Sequence, residues 1–512
     1  MTIVPTRTHD QPPAPLDLEH LDLESFRGRP VAVLGFARSG IALARFLVDR
    51  GARVTVYDVR PPDALGPAIA ALEGRPVTLR LGPSEDPAAV LRGQTMVATS
   101  PSVSSRFPTT EPHLRAALAA VEAGGAVPIV SELDLFLRLC PAPTVGVTGT
   151  KGKTTTASLC AAVLSGGSAP VLLGGNIGTP LVERLPELQG GERVVLEISE
   201  LQLPTLSRGT TVAVYTHVTQ DHLDRHGSVA AYRAVKRRLA ELVDPGGALV
   251  LNAEDPVTAA YAGLGTAPVT LYRRDRPIPG GVGVVDGWIV AAGVGRLPLA
   301  GGGPAATGPG GRVLPLDAIP LPGAHSQSNA LAAVAVGLLF GIAPDAIRRA
   351  IEAFEGVEHR LEAVAVIDGV RFVNDSQATQ PDAVIAALRS FPAPLVLIAG
   401  GRDKGTPLTE LGRVAAERAA AVVLIGESAP LLEEALHAAG HPHVERAPSL
   451  AAAVSRADEL ARAALAEAGP GDLATVVLSP AAASFDMFED YAARGRAFKA
   501  SVAELAIRRA HR

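Results

Sequence analysis

Short apolar runs alternate with longer segments of helical spacing along most of the chain, and glycine-rich turns separate many of them. That pattern predicts alternating β and α elements rather than a bundle or a sandwich. A buried strand is expected over 30–34, then the turn Gly35-Phe-Ala-Arg-Ser-Gly40, an apolar helix over 41–48, and a second strand over 53–57 ending at Asp58. A strand over 95–99 runs into Ser100-Pro-Ser102. Alternation resumes after Pro128, and the apolar start of 144–156 reads as a strand opening a second α/β domain. Strands over 193–198 and 211–218 follow, then a helix over 228–242 with Val229, Tyr232, Val235, Leu239 and Leu242 on one face. Residues 263–320 are rich in glycine and proline and read as loops and small edge strands. A polar stretch over 321–329 leads into an apolar helix over 330–340. Strands over 364–367, 371–373, 395–399, 421–425 and 474–478, with helices between them, predict a third α/β unit.

The length of 512 residues exceeds one core and suggests about three domains. Their expected bounds are 1–130, with a disordered tail up to about residue 16, then 131–357 and 358–512. A 47% hydrophobic content with 19% charged residues marks a folded, soluble chain. The net charge of −5, without a long Lys/Arg run, argues against nucleic acid as a partner. Cys140 and Cys160 make no disulfide framework, which fits a reducing compartment. No secretory signal and no membrane-length apolar run is visible, so a cytoplasmic location without membrane contact is expected.

Chemistry concentrates where strands end. In Gly149-Thr-Lys-Gly-Lys-Thr154, the glycines let backbone N–H groups converge, Lys153 brings charge to outer phosphates, and Thr154 offers a hydroxyl to Mg²⁺. The loop departs from the strict phosphate-loop motif, which requires glycine where Val147 stands. Glu197 closes an otherwise apolar strand, and a buried carboxylate there points to metal ligation ahead of a structural ion pair. His217, His222 and His226 lie in a strand-to-loop segment, which suits an adjunct to Mg²⁺ better than a zinc cage. Lys236 borders the buried face of its helix. Two readings stand: a snorkelling lysine, or a desolvated amine available for covalent chemistry such as carbamate formation. Gly35–Gly40 suits a pyrophosphate, but Ala37 replaces the second glycine of a dinucleotide fingerprint. Asp58 and Arg60 read equally as ribose or base contacts and as solvated charges.

The ordered set Gly149–Thr154, Gly175-Asn-Ile-Gly178, Leu196-Glu-Ile-Ser199, Asp221-His-Leu-Asp-Arg225, Tyr232-Arg-Ala-Val-Lys236, His359-Arg360, Asn374-Asp-Ser376 and Leu478-Ser-Pro480 resembles the Mur ligases from about residue 30 to the C-terminus. Within that family the first domain and the Asn374-Asp-Ser-Gln-Ala-Thr379 segment look like the glutamate-adding branch. The resemblance implies an α/β protein of three domains: an N-terminal Rossmann-like domain for UDP, a central phosphate-loop ATPase with a parallel sheet, and a C-terminal Rossmann-like domain that closes with the amino acid. It implies ATP-dependent addition of glutamate, D-glutamate being expected, to UDP-N-acetylmuramoyl-L-alanine through an acyl phosphate, by a monomer.

Carried over by position, Arg38, Ser39, Gly40 and Ser100 would hold the diphosphate side, Asp58 and Arg60 the uridine, and Asn176 the sugar nucleotide. Gly149, Thr150, Lys151, Gly152, Lys153, Thr154 and Thr155 would serve ATP, joined by Asn329, Arg360 and Asp375. Thr154, Glu197, His222 and Lys236 would hold two Mg²⁺ ions, with Lys236 carbamylated on Nζ, and Lys153, Glu197, His222 and Lys236 form the catalytic set. Gln377, Thr379, Lys404, Ser484 and Tyr491 would meet the amino acid. Gln377 departs from the lysine usual in the family, Tyr491 stands where phenylalanine is common, Glu200-Leu201 replace a typical Ser-Phe, and Ser102 replaces a glycine. Losing one charged hydrogen bond at Gln377 would weaken dicarboxylate binding by ~1.5–3 kcal/mol, so ligation with L-glutamate or another amino acid is the first alternative. A folylpolyglutamate-synthetase-like ligase, a nicotinamide-dependent oxidoreductase and a non-catalytic nucleotide-binding subunit are the others.

Overall fold

The computed structural model describes residues 14–178, 180–221, 223–321, 323–403, 406–467 and 473–510. Three mainly parallel sheets are present, and the chain divides into two compact units, Met1–Phe354 and Glu355–Arg512.

The first sheet contains β1 (Pro30–Leu34), β2 (Arg53–Asp58), β3 (Thr78–Leu81), β4 (Met96–Thr99) and β5 (Ile129–Ser131) in the order β3-β2-β1-β4-β5, all parallel. Strands covered on both faces need continuous apolar side chains, which is why β1 and β4 read as unbroken runs. The order reverses between β1 and β4, so a crevice opens beyond their carboxyl ends, where Gly35 and Ser100 lie.

The second sheet has nine strands: β6 (Thr144–Thr148), β7 (Val171–Gly175), β8 (Arg193–Glu197), β9 (Val212–Tyr215), β10 (Ala248–Asn252), β11 (Val269–Tyr272), β12 (Val282–Val285), β13 (Trp288–Ala291) and β14 (Arg312–Pro315). Their order is β14-β13-β12-β11-β10-β9-β6-β8-β7, and the glycine-rich region supplies the antiparallel edge β12-β13-β14. β6 sits between β8 and β9, so the phosphate loop emerges with a strand end on either side. One apolar core fills the space between the first sheet and one face of the second; it runs from Val31, Val33 and Met96 through Leu133 and Phe136 to Leu196, Tyr215 and Leu249.

The helix expected over 330–340 begins earlier, at Ala324, and runs to Leu339. Its apolar part is buried all round, packed against the phosphate-loop helix Lys153–Leu164. Its polar first turns face a polar site, so hydrophobic spacing could not show them as helix.

The second unit holds β15 (Glu362–Ile367), β16 (Val370–Asn374), β17 (Leu395–Gly400), β18 (Ala421–Ile425), β19 (Val444–Arg446) and β20 (Ala474–Leu478), in the order β15-β16-β20-β17-β18-β19. Only β15 runs antiparallel. Separate apolar clusters cover the two faces of this sheet.

Candidate active site

The phosphate loop is built by two constraints, one of backbone and one of space. Gly149 and Gly152 have φ of +150° and +86°, and a Cβ on Gly149 would lie 2.0 Å from Thr216 Oγ1. Only glycine fits such a position. The end of β9 then clamps the loop: Thr150 N–H donates to His217 O at 2.6 Å, and Thr216 Oγ1 donates to Lys151 O at 2.6 Å. Thr150 Oγ1 lies 2.9 Å from the Tyr232 hydroxyl and accepts from Thr219 N at 3.0 Å. Helix Lys153–Leu164 starts at Gly152 with no side-chain cap, which leaves its first N–H groups and the positive end of its dipole suited to binding an anion. Thr154 and Thr155 lie buried in its first turn, and Lys153 Nζ donates to Thr150 O at 2.9 Å across the loop's mouth. Asn329 Oδ1 accepts from Thr156 Oγ1 at 3.1 Å, and the same atom stands 2.9 Å from where a Cβ on Gly152 would be.

Beside the loop lie two buried charged groups. Glu197 is 2% exposed; its Oε1 accepts from Asn176 Nδ2 at 2.8 Å, and its Oε2 is buried with no hydrogen-bond partner among the described residues. An orphaned carboxylate oxygen beside a phosphate cradle fits a cation-binding role, since leaving it bare costs desolvation without return. Lys236 is fully buried, and Nζ makes one 3.3 Å bond to Thr148 Oγ1 and sits 5.6 Å from the centre of the Tyr232 ring. Burial, reinforced by the charge of Lys153, lowers its pKa to about 7. The amine is therefore substantially neutral near neutrality, as a nucleophile toward CO₂ must be. Snorkelling does not describe a lysine whose Nζ has no route to water.

The glycine turn of the first sheet is equally constrained. A Cβ on Gly40 would lie 1.8 Å from Gly35 O, and one on Gly35 would meet Ser100 Oγ at 2.8 Å. Ser100 Oγ donates to Gly35 O at 3.2 Å. Helix Arg38–Asp49 follows, also without a side-chain cap. Asp58 accepts from Phe36 N at 2.7 Å, from Arg60 N at 2.9 Å, and from the Arg60 guanidinium at 2.9 and 2.8 Å. Burial pushes its carboxyl up, and the bonds from Arg60 and Phe36 outweigh it, leaving the pKa below the usual value. Asp58 thus shapes the turn as well as lying near it, and Arg60 remains half-exposed. Arg38 donates to Gly178 O at 3.0 Å and to Asn176 O at 3.4 Å, while the Asn176 amide holds Glu197. A short chain of contacts therefore joins the glycine turn to the buried carboxylate.

In the second unit, the ends of β16, β17 and β20 carry the remaining expected residues. Asp375 is buried, accepting from Ser479 Oγ at 2.7 Å and Leu361 N at 3.1 Å; burial raises its pKa to about 6. His359 has φ of +65° and is packed by Asn374 Nδ2 at 2.9 Å and the Tyr491 ring, an arrangement that presents Arg360. Gln377 donates its N–H to His359 O and carries a buried Oε1 with no partner among the described residues, with Thr379 two residues on. Ser484 is buried beyond β20, and Tyr491 opens the helix Tyr491–Ala510. His222 and Lys404 lie outside the described residues.

Arg494 was not legible in the sequence. It is 1% exposed and donates to Ser376 Oγ and O, Ala482 O and Ala483 O at 2.9–3.4 Å, and to Gly400 O at 3.5 Å. One guanidinium thus ties together the three strand ends; burial lowers its pKa to about 10. Its partners are the Ser376 hydroxyl and backbone carbonyls that folding brings to it, which leave no local signal. Thr148 and Thr216 were missed for the same reason.

Residues 147–277 match the Mur ligase middle domain, and residues 359–482 match the family described as Mur ligase, glutamate ligase domain. The chain is 40% identical over 479 residues to the UDP-N-acetylmuramoylalanine--D-glutamate ligase of Symbiobacterium thermophilum, covering 93% of this chain and 98% of that one. It is 40% identical over 483 residues to the enzyme of the same name from Roseiflexus sp., covering 91% and 96%. Among solved structures, the UDP-N-acetylmuramate-alanine ligase MurC of Thermotoga maritima matches with a TM-score of 0.54 at 17% identity, covering 93% of this chain and all of that one. That likeness concerns the fold. Among the described residues, no helix is long and apolar enough to cross a membrane.

Proposed function

The chain belongs to the Mur ligases, and from that premise we propose that it joins D-glutamate to UDP-N-acetylmuramoyl-L-alanine with conversion of ATP to ADP and phosphate. Its close relatives carry the name of that reaction over nearly their whole length. The division of labour follows the sequence: residues 1–130 for the UDP substrate, 131–357 for ATP, and 358–512 for the amino acid, in a cytoplasmic monomer.

The observation that carries the mechanism is the pair of buried groups beside the phosphate loop, Glu197 with one bare oxygen and Lys236 with one weak bond. The loop's N–H groups and Lys153 bind the ATP phosphates. A carboxylate oxygen of the alanyl terminus then attacks the γ-phosphorus, the bond to the ADP oxygen breaks, and an acyl phosphate forms. Lys153 and the start of its helix stabilise the charge gathering on the phosphoryl oxygens. The amine of glutamate adds to the acyl carbon, loses a proton and expels phosphate, leaving the amide.

Thr154, Glu197, His222 and a carbamylated Lys236 are the residues that would hold Mg²⁺, two ions across the set. When bound, Mg²⁺ supplies positive charge to the phosphate oxygens. The carbamate forms when neutral Lys236 Nζ bonds to the carbon of CO₂ and releases a proton, turning a cation into an oxygen ligand. Arg38, Ser39, Gly40, Ser100 and Asn176 serve the nucleotide sugar, with Arg60 and Asp58 at its uridine end. Asn329, Arg360 and Asp375 meet the adenine nucleotide, while Gln377, Thr379, Lys404, Ser484 and Tyr491 meet glutamate. Gln377 keeps open ligation of L-glutamate or another amino acid as the second reading.

The test supplies ATP and UDP-N-acetylmuramoyl-L-alanine with D-glutamate, L-glutamate or other amino acids in separate reactions and measures ADP and the peptide product. Ligation with D-glutamate is expected. A folded protein that ligates none of them would overturn the reading, and preference for L-glutamate would revise the substrate. In the same assay Lys236→Ala is expected to lose activity and regain part of it with short carboxylic acids.

A further inference from the structure

Three of the chain's six tyrosines meet at the helix Val229–Leu242 that carries Lys236: Tyr232 within it, and Tyr215 and Tyr261 bonded to its backbone. Two of them act on its backbone from below. Tyr261 donates to Arg233 O at 3.2 Å, an ordinary brace against a helix carbonyl. Tyr215 does something different. Its hydroxyl donates to Lys236 O at 2.7 Å and accepts from Ala240 N at 2.8 Å, so it stands between the two groups that an unbroken helix would pair with each other. Its ring is fully buried, packed edge-on against Tyr261 at 5.1 Å between centroids, and its own carbonyl accepts from Tyr272 at 2.9 Å. The hydroxyl is therefore fixed from both sides.

One of the two groups held in this way is the carbonyl of Lys236 itself. That matters because, among the described residues, Lys236 Nζ makes a single hydrogen bond, 3.3 Å to Thr148 Oγ1, beside the face of Tyr232. Thr148 Oγ1 in turn donates to Ile198 O at 2.8 Å, one residue beyond Glu197. The place of Nζ relative to β8 and the phosphate loop is thus set mainly by where the Lys236 backbone lies, and Tyr215 is what fixes that backbone. We propose that Tyr215 is a positioning residue for the ligation, its hydroxyl anchoring the helix backbone at Lys236 and Ala240 so that Nζ meets Thr148 beside Glu197. The inference rests on the role given to Lys236 above.

Tyr215→Phe keeps the ring and its packing and removes one oxygen, and with it both bonds to the helix backbone. The variant is expected to fold, with cooperative thermal unfolding. It is expected to lose at least ~10-fold in kcat, with KM for all three substrates within about twofold of wild type, as for a displaced group that binds none of them. Its Lys236 carbamate, read as the ¹³C resonance after equilibration with ¹³C-bicarbonate, is expected to fall in parallel. Tyr261→Phe, which removes a brace one turn earlier, is expected to keep both. Wild-type kcat in Tyr215→Phe, or equal losses in Tyr215→Phe and Tyr261→Phe, would overturn the proposal. Absence of the carbamate resonance from the wild-type enzyme would overturn the carbamate reading instead, and the split between kcat and KM would still decide on Tyr215. Should Tyr215→Phe not fold, the Tyr215 hydroxyl of the wild type decides: a slowly exchanging hydroxyl proton with a nuclear Overhauser contact to the Ala240 amide would support the proposal, and one that exchanges freely with solvent would overturn it.

Discussion

Glu197 and Asp375 are both carboxylates at the ends of buried strands, and their surroundings separate them. Glu197 keeps one oxygen bare, whereas Asp375 accepts from Ser479 and Leu361. For Asp375 burial dominates, and the pKa rises from 3.8 to about 6. The folded protein therefore binds more protons than the unfolded chain between these values, so this group's contribution to stability is fullest below about pH 4 and is lost as pH rises through 6. Asp375→Asn removes that dependence. Relative to wild type, the variant is expected to gain thermal stability between pH 4 and 7, by up to ~3 kcal/mol, with no further gain above pH 7. Thermal unfolding across pH 4–8 checks this, and a difference independent of pH would refute it. Glu197 was legible because a carboxylate interrupts an apolar run. Arg494 and Tyr215 were not, because their partners are mostly main-chain groups brought close only by folding.

Two helices, Arg38–Asp49 and Lys153–Leu164, share one design: a glycine turn leads into a first turn that no side chain caps. Other helices of the chain also start without a side-chain cap, and what sets these two apart is the glycine turn that brings their first N–H groups to a strand end, where a phosphate can be received. Gly40 is the tightest point of the first, so Gly40→Ala must move either the helix or the Gly35 peptide. KM for the nucleotide sugar is expected to rise at least ~10-fold, about 1.4 kcal/mol, with KM for ATP within about twofold. Steady-state kinetics check this, and equal effects on both substrates would contradict it. Both turns could be read from sequence because glycine marks the backbone directly. The start of the helix at Ala324 could not, since Ser326 and Asn329 are polar residues buried against the phosphate loop, and periodicity sees only apolar ones.

At the scale of the molecule, three sheets do not mean three independent cores. The first sheet and one face of the second share a single apolar cluster, while the sheet of the second unit has clusters of its own. A fragment of residues 355–512 is therefore expected to melt cooperatively by itself. A fragment ending between Leu139 and Thr144 would expose half of the shared core and is expected to lack a cooperative transition in circular dichroism. Cooperative melting of the shorter fragment would show that the first sheet is self-sufficient. The shared core also sets the grain at which relatives can exchange parts. A crossover between Phe354 and Glu355 leaves each core with its own coevolved side chains. One just ahead of β6 pairs two halves of a core that were never selected together, so chimaeras of this family should inherit the first two sheets as a single heritable block.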